Sequence, residues 1–155
     1  MTKLFLTLHV LAAIIAIGPV TVAASMFPPA VRRAQTAEAD ATTMTAVRLL
    51  HRICHVYAGI GLAVPVLGFF TAGSMGVLTD AWLIASIVLT AAAAGVLALL
   101  VLPRQEALLE QLAHQASPVE RHSTVRLAMF TGVFNLLWAL VTILMIIRPG
   151  STTGA

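Results

Sequence analysis

Four long stretches of the chain contain no charged residue, histidine aside, and they determine its architecture. These stretches cover residues 4–31, 53–79, 81–103 and 127–147. The hydrocarbon core of a bilayer is about 30 Å thick, and about 20 apolar residues cross it as a helix. Backbone groups in lipid must be satisfied within the segment, and the chain lacks the alternating pattern of a membrane barrel. The pattern predicts four transmembrane helices, at about residues 4–27, 53–73, 81–103 and 127–147.

The basic residues divide unevenly between the two ends of these helices. Four arginines fall in the connection at residues 28–52 and three in the connection at 104–126, whereas only Lys3 and Arg148 flank the helices at the other end. Connections rich in Lys and Arg stay in the cytoplasm. We therefore predict a multi-pass protein of the bacterial plasma membrane, with both termini outside (N-out, C-out) and the two arginine-rich connections in the cytoplasm.

The start of the chain also has features of a secretory signal. Lys3 and an apolar stretch precede the small residues Val22, Ala23 and Ala24, which imitate a cleavage site. The apolar stretch is longer than a usual signal core, and the charge distribution favours an N-out helix. We interpret this segment as an uncleaved span.

Proline and capping signals predict where the helices begin and end. Pro28 and Pro29 are expected to end the first helix, because neither can donate to a continuing backbone ladder. The second helix is expected to begin before the membrane, near Thr42, and the third to continue past it to about residue 115. Residues 117–120, Ser-Pro-Val-Glu, have the pattern of a capping box with proline at the first helical position. The fourth helix should therefore start at Pro118.

Each predicted helix has one face of small or polar residues and another of large apolar ones. Small residues allow transmembrane backbones to approach closely, so these faces should pack against one another. The side chains expected in helix packing are His9, Ala12, Ala16, Gly59, Asn135 and Trp138. The result is one all-α domain over residues 1–155, an integral membrane four-helix bundle with up-down-up-down topology.

Composition supports this class and excludes others. Hydrophobic residues make up 59% of the chain and charged residues 10%, against about 45–50% and about 25% in soluble domains. Nine basic residues are too few for the clustered basic face of a nucleic-acid-binding protein. A single cysteine, Cys54, excludes an internal disulfide and a cysteine-rich metal site within this chain alone.

Histidines are the candidate cofactor and metal ligands. His9 and His55 both lie in predicted spans, but their depths differ by roughly 20 Å at ~1.5 Å per residue, so they cannot share one haem iron. His51 and His55 have the i, i+4 spacing of metal ligands, with Cys54 beside them, yet the sequence identifies no third converging ligand. We expect no cofactor, and the sequence leaves open whether His9 contacts a ligand such as a quinone or only a backbone carbonyl one turn away.

Other chemistry finds little support in the residues. No Asp, Glu, Lys or Arg lies inside a span, which argues against an ion-coupled transporter. The row Thr131, Asn135 and Thr142 is the only candidate lining for a small oligomeric channel or transporter. The serines lack a nucleophile-elbow context and there is no phosphate-binding glycine loop, so we do not expect an enzyme.

The chain resembles a family of small bacterial integral membrane proteins of unknown function. The resemblance is carried by the sequence LHVLA at residues 8–12, Gly-Pro at 18–19, Arg-Arg at 32–33 and LHRI at 50–53, and it extends to about residue 103. A similar opening occurs in copper-resistance membrane proteins, which have more helices and more histidines. The excess of Arg over Lys is typical of actinobacterial proteins. Small proteins of this kind occur as accessory subunits of the actinobacterial cytochrome bcc–oxidase respiratory supercomplex.

These observations lead to three functional hypotheses. The first is a non-catalytic accessory or structural subunit of a larger membrane complex, which the resemblance implies is a respiratory one. The second is a haem- or metal-binding redox protein that uses His9 or the group His51, Cys54 and His55. The third is the small oligomeric transporter or channel.

Overall fold

The computed structural model describes residues 2–36, 41–114 and 119–150, and in these ranges the regular structure is helical. The helices are α1 (Thr2–Ala34), α2 (Ala41–Ile60), α3 (Ala63–Met75), α4 (Ala81–Gly95), a π-helical segment (Val96–Val101), α5 (Leu102–His114) and α6 (Arg121–Ile147). Helices α2 and α3 follow one another as one span, and α4, the π-helical segment and α5 form another. With α1 and α6 they give four helices long and apolar enough to cross a membrane, and the predicted all-α four-helix bundle is confirmed.

Helix α1 occupies the centre of the arrangement. It packs against α2, α3 and α6, while α6 packs against α4 and the π-helical segment, and α2 meets α5. Thr2 donates to the carbonyl of Ser74 and the Arg148 guanidinium lies over the Trp82 ring, so both described termini lie at one end. We call this end the terminal end. The opposite end carries the connections after α1 and α5, and we call it the arginine-rich end.

The main core lies in the arginine-rich half of the bundle. Its largest fully buried side chains include Phe27 from α1, Val47 from α2, and Leu127 and Phe134 from α6. A second, smaller core of Ala72, Val77, Trp82 and Leu83 lies at the terminal end. The bundle is therefore packed at both ends, with a less densely filled region between them in the terminal half.

The first helix does not end at its proline pair, so that prediction was wrong. Pro28 and Pro29 lie inside α1, which continues to Ala34. Each proline removes one backbone donor, but Phe27 and Val31 are fully buried in the main core and Pro28 between them is also buried. Packing of this turn against the rest of the core holds it in the helical conformation despite the lost hydrogen bonds.

The second span is interrupted at Gly61 and Leu62, which the sequence analysis did not predict. The Gly61 amide donates to Tyr57 and the Leu62 amide to Gly59, and the Gly61 carbonyl then accepts from Val64. Pro65 has no amide hydrogen to give to Gly61, the residue four positions before it. The chain therefore closes this turn with a tighter bond three residues apart, and α3 begins as a separate helix.

The start of the last helix also differs from the prediction. Ser117 and Pro118 lie outside the described residues, but Glu120 has an extended conformation (φ −61°, ψ 136°) and α6 begins at Arg121. Glu120 is therefore the residue before the helix and not its third residue, as a capping box would require. Val119 is buried in the main core and its carbonyl accepts from the Gln35 side chain, which holds this segment extended.

Candidate functional site

A large apolar cleft lies between the four spans in the terminal half of the bundle. Its volume is about 1230 Å³, and residues of α1, α3, α4 and α6 line it. Drug-sized ligands and cofactors occupy pockets of roughly 300–1,000 Å³, so the space is large enough for such a molecule. We call it the terminal cleft. The packed terminal core closes it at one end and the main core at the other.

The α1–α3 side of the cleft is held together by three contacts at increasing depth. Thr2 donates to the Ser74 carbonyl at the rim, and the Phe5 and Phe70 rings stack with centroids 5.9 Å apart. Deeper in the bundle, His9 Nδ1 lies 2.9 Å from the backbone oxygen of Val64. His9 therefore bridges two helices, and does not bond within its own helix.

The bond to Val64 fixes which ring nitrogen of His9 carries a proton. A backbone carbonyl can only accept, so Nδ1 must donate, and the neutral ring then carries an unshared pair on Nε2. Among the described residues Nε2 has no hydrogen-bond partner, and His9 lines the terminal cleft. A hydrogen bond from the other ring nitrogen to a carbonyl is also how ligand histidines are oriented.

The absence of a side chain at position 68 allows this arrangement. A Cβ built on Gly68 would lie 3.1 Å from His9 Cε1 and 3.4 Å from Nδ1. Contacts at 3.1 Å are closer than carbon atoms normally approach, since their optimal separation is about 3.5–4.0 Å. Gly68 thus permits the His9 ring to lie flat against α3 and reach Val64.

The α4–α6 side contributes two hydroxyl groups and one cation. Thr90 donates to the Ser86 carbonyl at 2.7 Å, and Thr142 donates to the Trp138 carbonyl at 2.9 Å. At the rim, the Arg148 guanidinium carbon lies 5.5 Å from the centre of the Trp82 ring. The Trp82 indole nitrogen donates to Asp80 at 3.0 Å, which orders this side of the rim.

Helix α6 carries a row of polar atoms that are buried and incompletely paired. Asn135 donates to the Ser25 hydroxyl at 3.3 Å, but its oxygen has no partner among the described residues. The same holds for Thr131 Oγ1 and Trp138 Nε1, and the Trp138 ring packs edge-on against Phe134. Thr131 is 2% exposed and Asn135 binds α1, so only Thr142 of the proposed channel row lies exposed.

The second candidate group, His51, Cys54 and His55, lies in the arginine-rich half. Gln105 forms hydrogen bonds with two of these residues, His51 and Cys54. Gln105 accepts from His51 Nδ1 at 3.1 Å and donates to the Cys54 sulfur at 3.5 Å. Gln105 and Cys54 are both fully buried. Sequence reasoning missed Gln105, since it considered only histidine, cysteine and carboxylate side chains as partners.

The π-helical segment accounts for the position of Gln105. A π turn contains one residue more than an α turn, which rotates everything after it by about 100° relative to an uninterrupted helix. Arg104 follows it, donating to the Leu100 carbonyl at 2.9 Å and lying 4.4 Å from the centre of the Phe130 ring. These contacts hold α5 in the register that directs Gln105 towards α2.

His55 is not joined to this network. It is exposed, and its ring centre lies 6.2 Å from that of His51 at a tilt of 43°. Within the described ranges no three histidine, cysteine or carboxylate side chains gather where they could hold one metal ion. His9 and His55 lie in opposite halves of the bundle.

The remaining packing residues fall in different surroundings. Ala16 is fully buried and Ala12 is half-buried on α1. Gly59 is exposed, and no atom lies within 4 Å of the position that a Cβ would take. Gly59 therefore takes no part in packing among the described residues of this chain.

Together these features define an α-helical, multi-pass integral membrane protein with a cleft inside its bundle. The chain belongs to a family of predicted integral membrane proteins of unknown function (DUF2269), whose model matches residues 3–149. The resemblance to an uncharacterised membrane family is thus confirmed. No curated protein and no solved structure matches the chain at a significant level.

Proposed function

We propose that the protein is a non-catalytic accessory subunit that packs through its second span, α2 and α3, against a larger membrane complex. One observation carries this proposal. Only 11% of the apolar window of this span is buried within the chain, compared with 28% for α1. The second span is the least covered of the four, although its sequence contains the small residues that helix contacts use.

Two of those small residues are accessible to a partner. Gly59 and Ala63 lie on either side of the break at Gly61 and Leu62, and both are exposed. Lipid tails are as apolar as the side chains, so association in a bilayer depends on close packing, which small residues permit. The open space around Gly59 would admit the backbone of a partner helix.

The setting of the complex is also part of the proposal. The seven arginines of the two connections favour an orientation with the arginine-rich end in the cytoplasm. The resemblance to accessory subunits of the cytochrome bcc–oxidase supercomplex supports a respiratory complex of a bacterial plasma membrane as the partner.

Purification of the tagged chain from its native membrane in mild detergent tests the proposal. Mass spectrometry should detect stoichiometric partner subunits with the wild type, and Gly59→Leu should lose most of them because the larger side chain fills the contact. Gly132→Leu on α6 is the matched control, since Gly132 is also exposed with open space around it. A wild type that elutes as a free monomer would overturn the proposal.

A further inference from the structure

Three polar atoms inside the terminal cleft are acceptors without a matching donor, and the one cation among the described lining residues, Arg148, lies at the rim. In the neutral imidazole, His9 Nε2 carries the unshared pair because Nδ1 donates to Val64. The hydroxyl groups of Thr90 and Thr142 donate hydrogen bonds to backbone carbonyls, so only the lone pairs of their oxygens remain, and these accept hydrogen bonds. The indole nitrogen of Trp138, a donor, is buried and has no partner among the described residues.

The position of this site in a bilayer adds a second requirement. The other lining residues are almost all apolar, and several, such as Ile14, Phe69 and Ile146, are more than half exposed. A molecule that enters must dissolve in lipid, yet its polar end must donate hydrogen bonds to the acceptors. The carboxylate of a fatty acid or the phosphate of a phospholipid would pair with Arg148 at the rim and would bring no donor to the acceptors deeper in the cleft.

We propose that the terminal cleft binds a lipophilic molecule whose ring carries a phenolic hydroxyl group, of the isoprenoid quinol type, with the hydroxyl donating to His9 Nε2. Thr90 or Thr142 accepts from a second hydroxyl, and the tail extends between apolar side chains towards the bilayer. The site holds and orients the molecule, and no chemical step is required of it. This inference is independent of the partner proposed for the second span.

The hydrogen-bond pattern favours a quinol over an iron porphyrin. Iron would also take the lone pair of His9 Nε2, but a porphyrin offers no donor to Thr90 or Thr142. Its two carboxylates would meet Arg148 as the only cation among the cleft residues, and the Arg148 Nε already donates to the Met145 carbonyl.

The pattern also distinguishes the two redox forms of such a ligand. A quinol has hydroxyl protons to donate, whereas a quinone presents only carbonyl acceptors to the acceptors of the cleft. One hydrogen bond contributes about 1 kcal/mol net, which corresponds to roughly a fivefold difference in affinity. The reduced form should therefore bind the purified wild type at least about fivefold more tightly.

Isothermal titration calorimetry of the full chain in one fixed detergent tests this inference, with anaerobic decylubiquinol and decylubiquinone as probes. Ala94→Phe should weaken quinol binding more than tenfold because Ala94 lines the cleft. Ala92→Phe is the matched control on the same helix, since Ala92 is exposed and does not line the cleft. His9→Leu should abolish the preference for the reduced form.

Three results would overturn the inference. Equal affinities of the wild type for the two redox forms would show that the acceptors do not select the ligand. Equal heats for Ala94→Phe and Ala92→Phe would indicate partition of the probe into the micelle. A Soret band that disappears in His9→Leu would assign the cleft to haem. If His9→Leu fails to fold, the inference is still tested by the redox preference of the wild type and by the comparison of Ala94→Phe with Ala92→Phe.

Discussion

At the scale of single residues, the chain uses polar groups within its spans to join helices to one another. His9 bridges α1 and α3, and Asn135 bridges α6 and α1. Interhelical hydrogen bonds of this kind contribute about 0.6 kcal/mol on average in membrane proteins, so no single bond determines the fold. These bonds instead fix how the helices are positioned, because each bond forms only where a small or flexible neighbour leaves room for it.

Gly68→Ala tests how closely His9 depends on its neighbour. The new methyl group would lie 3.1 Å from His9 Cε1, so the ring must move and its bond to Val64 lengthens or breaks. Relative to Gly132→Ala, which shares the gain from alanine in a helix, we expect the free energy of unfolding to be lower by about 1 kcal/mol, the net value of one hydrogen bond, measured by thermal denaturation in detergent. Gly132→Ala should be neutral or stabilising by up to about 1 kcal/mol, because its Cβ meets open space and alanine favours the helix. Equal effects of the two substitutions would contradict this role of Gly68.

At the scale of helices, the spans were predictable and most of their irregularities were not. Long uncharged runs predict spans because only a long apolar segment that satisfies its own backbone hydrogen bonds is stable in the hydrocarbon core. The break at Gly61 follows from Pro65, which the sequence contains, but the continuation of α1 through Pro28 and Pro29 and the π-helical segment depend on contacts with other helices. Such contacts cannot be inferred from local sequence, and they explain why Gln105, which joins His51 to Cys54, was missed.

Deletion of Leu99 tests whether the π-helical segment sets the register of α5. Leu99 is 73% exposed, so its side chain contributes little to packing and Leu99→Ala is a mild control. Loss of one residue converts the π turn to an α turn and leaves α5 facing α2, because the residue removed is the extra one. An alanine inserted after Leu99 instead adds a residue that the turn does not accommodate, rotates α5 by about 100° and withdraws Gln105 from α2. We expect Cys54, fully buried in the wild type, to become reactive towards a maleimide in the insertion variant and to remain protected in the deletion variant and in Leu99→Ala. Protection in the insertion variant, or reactivity in the deletion variant, would contradict this account of the π turn.

At the scale of the whole molecule, the bundle is packed most densely at its arginine-rich end and opens into a cleft towards the terminal end. Small-residue faces predict that the helices associate, and His9 could be recognised as unusual from its depth alone. The cleft itself could not be predicted, because it is lined by residues of four helices whose relative positions the sequence does not contain. Its acceptor character likewise follows from the direction of hydrogen bonds, which the sequence does not contain.

The orientation of this asymmetric molecule determines from which side the cleft is reached. The excess of arginine predicts that the connection around Thr36 lies in the cytoplasm and that the turn around Leu78 lies outside. Both residues are exposed, and the native Cys54 is fully buried, so the wild type supplies an unlabelled background. In intact cells a membrane-impermeant maleimide should label Leu78→Cys and should label Thr36→Cys only after lysis. Four spans keep the two ends of the bundle on opposite sides of the membrane. The reverse pattern would therefore place the terminal cleft in the cytoplasmic half of the membrane and would invert the orientation of the proposed docking surface.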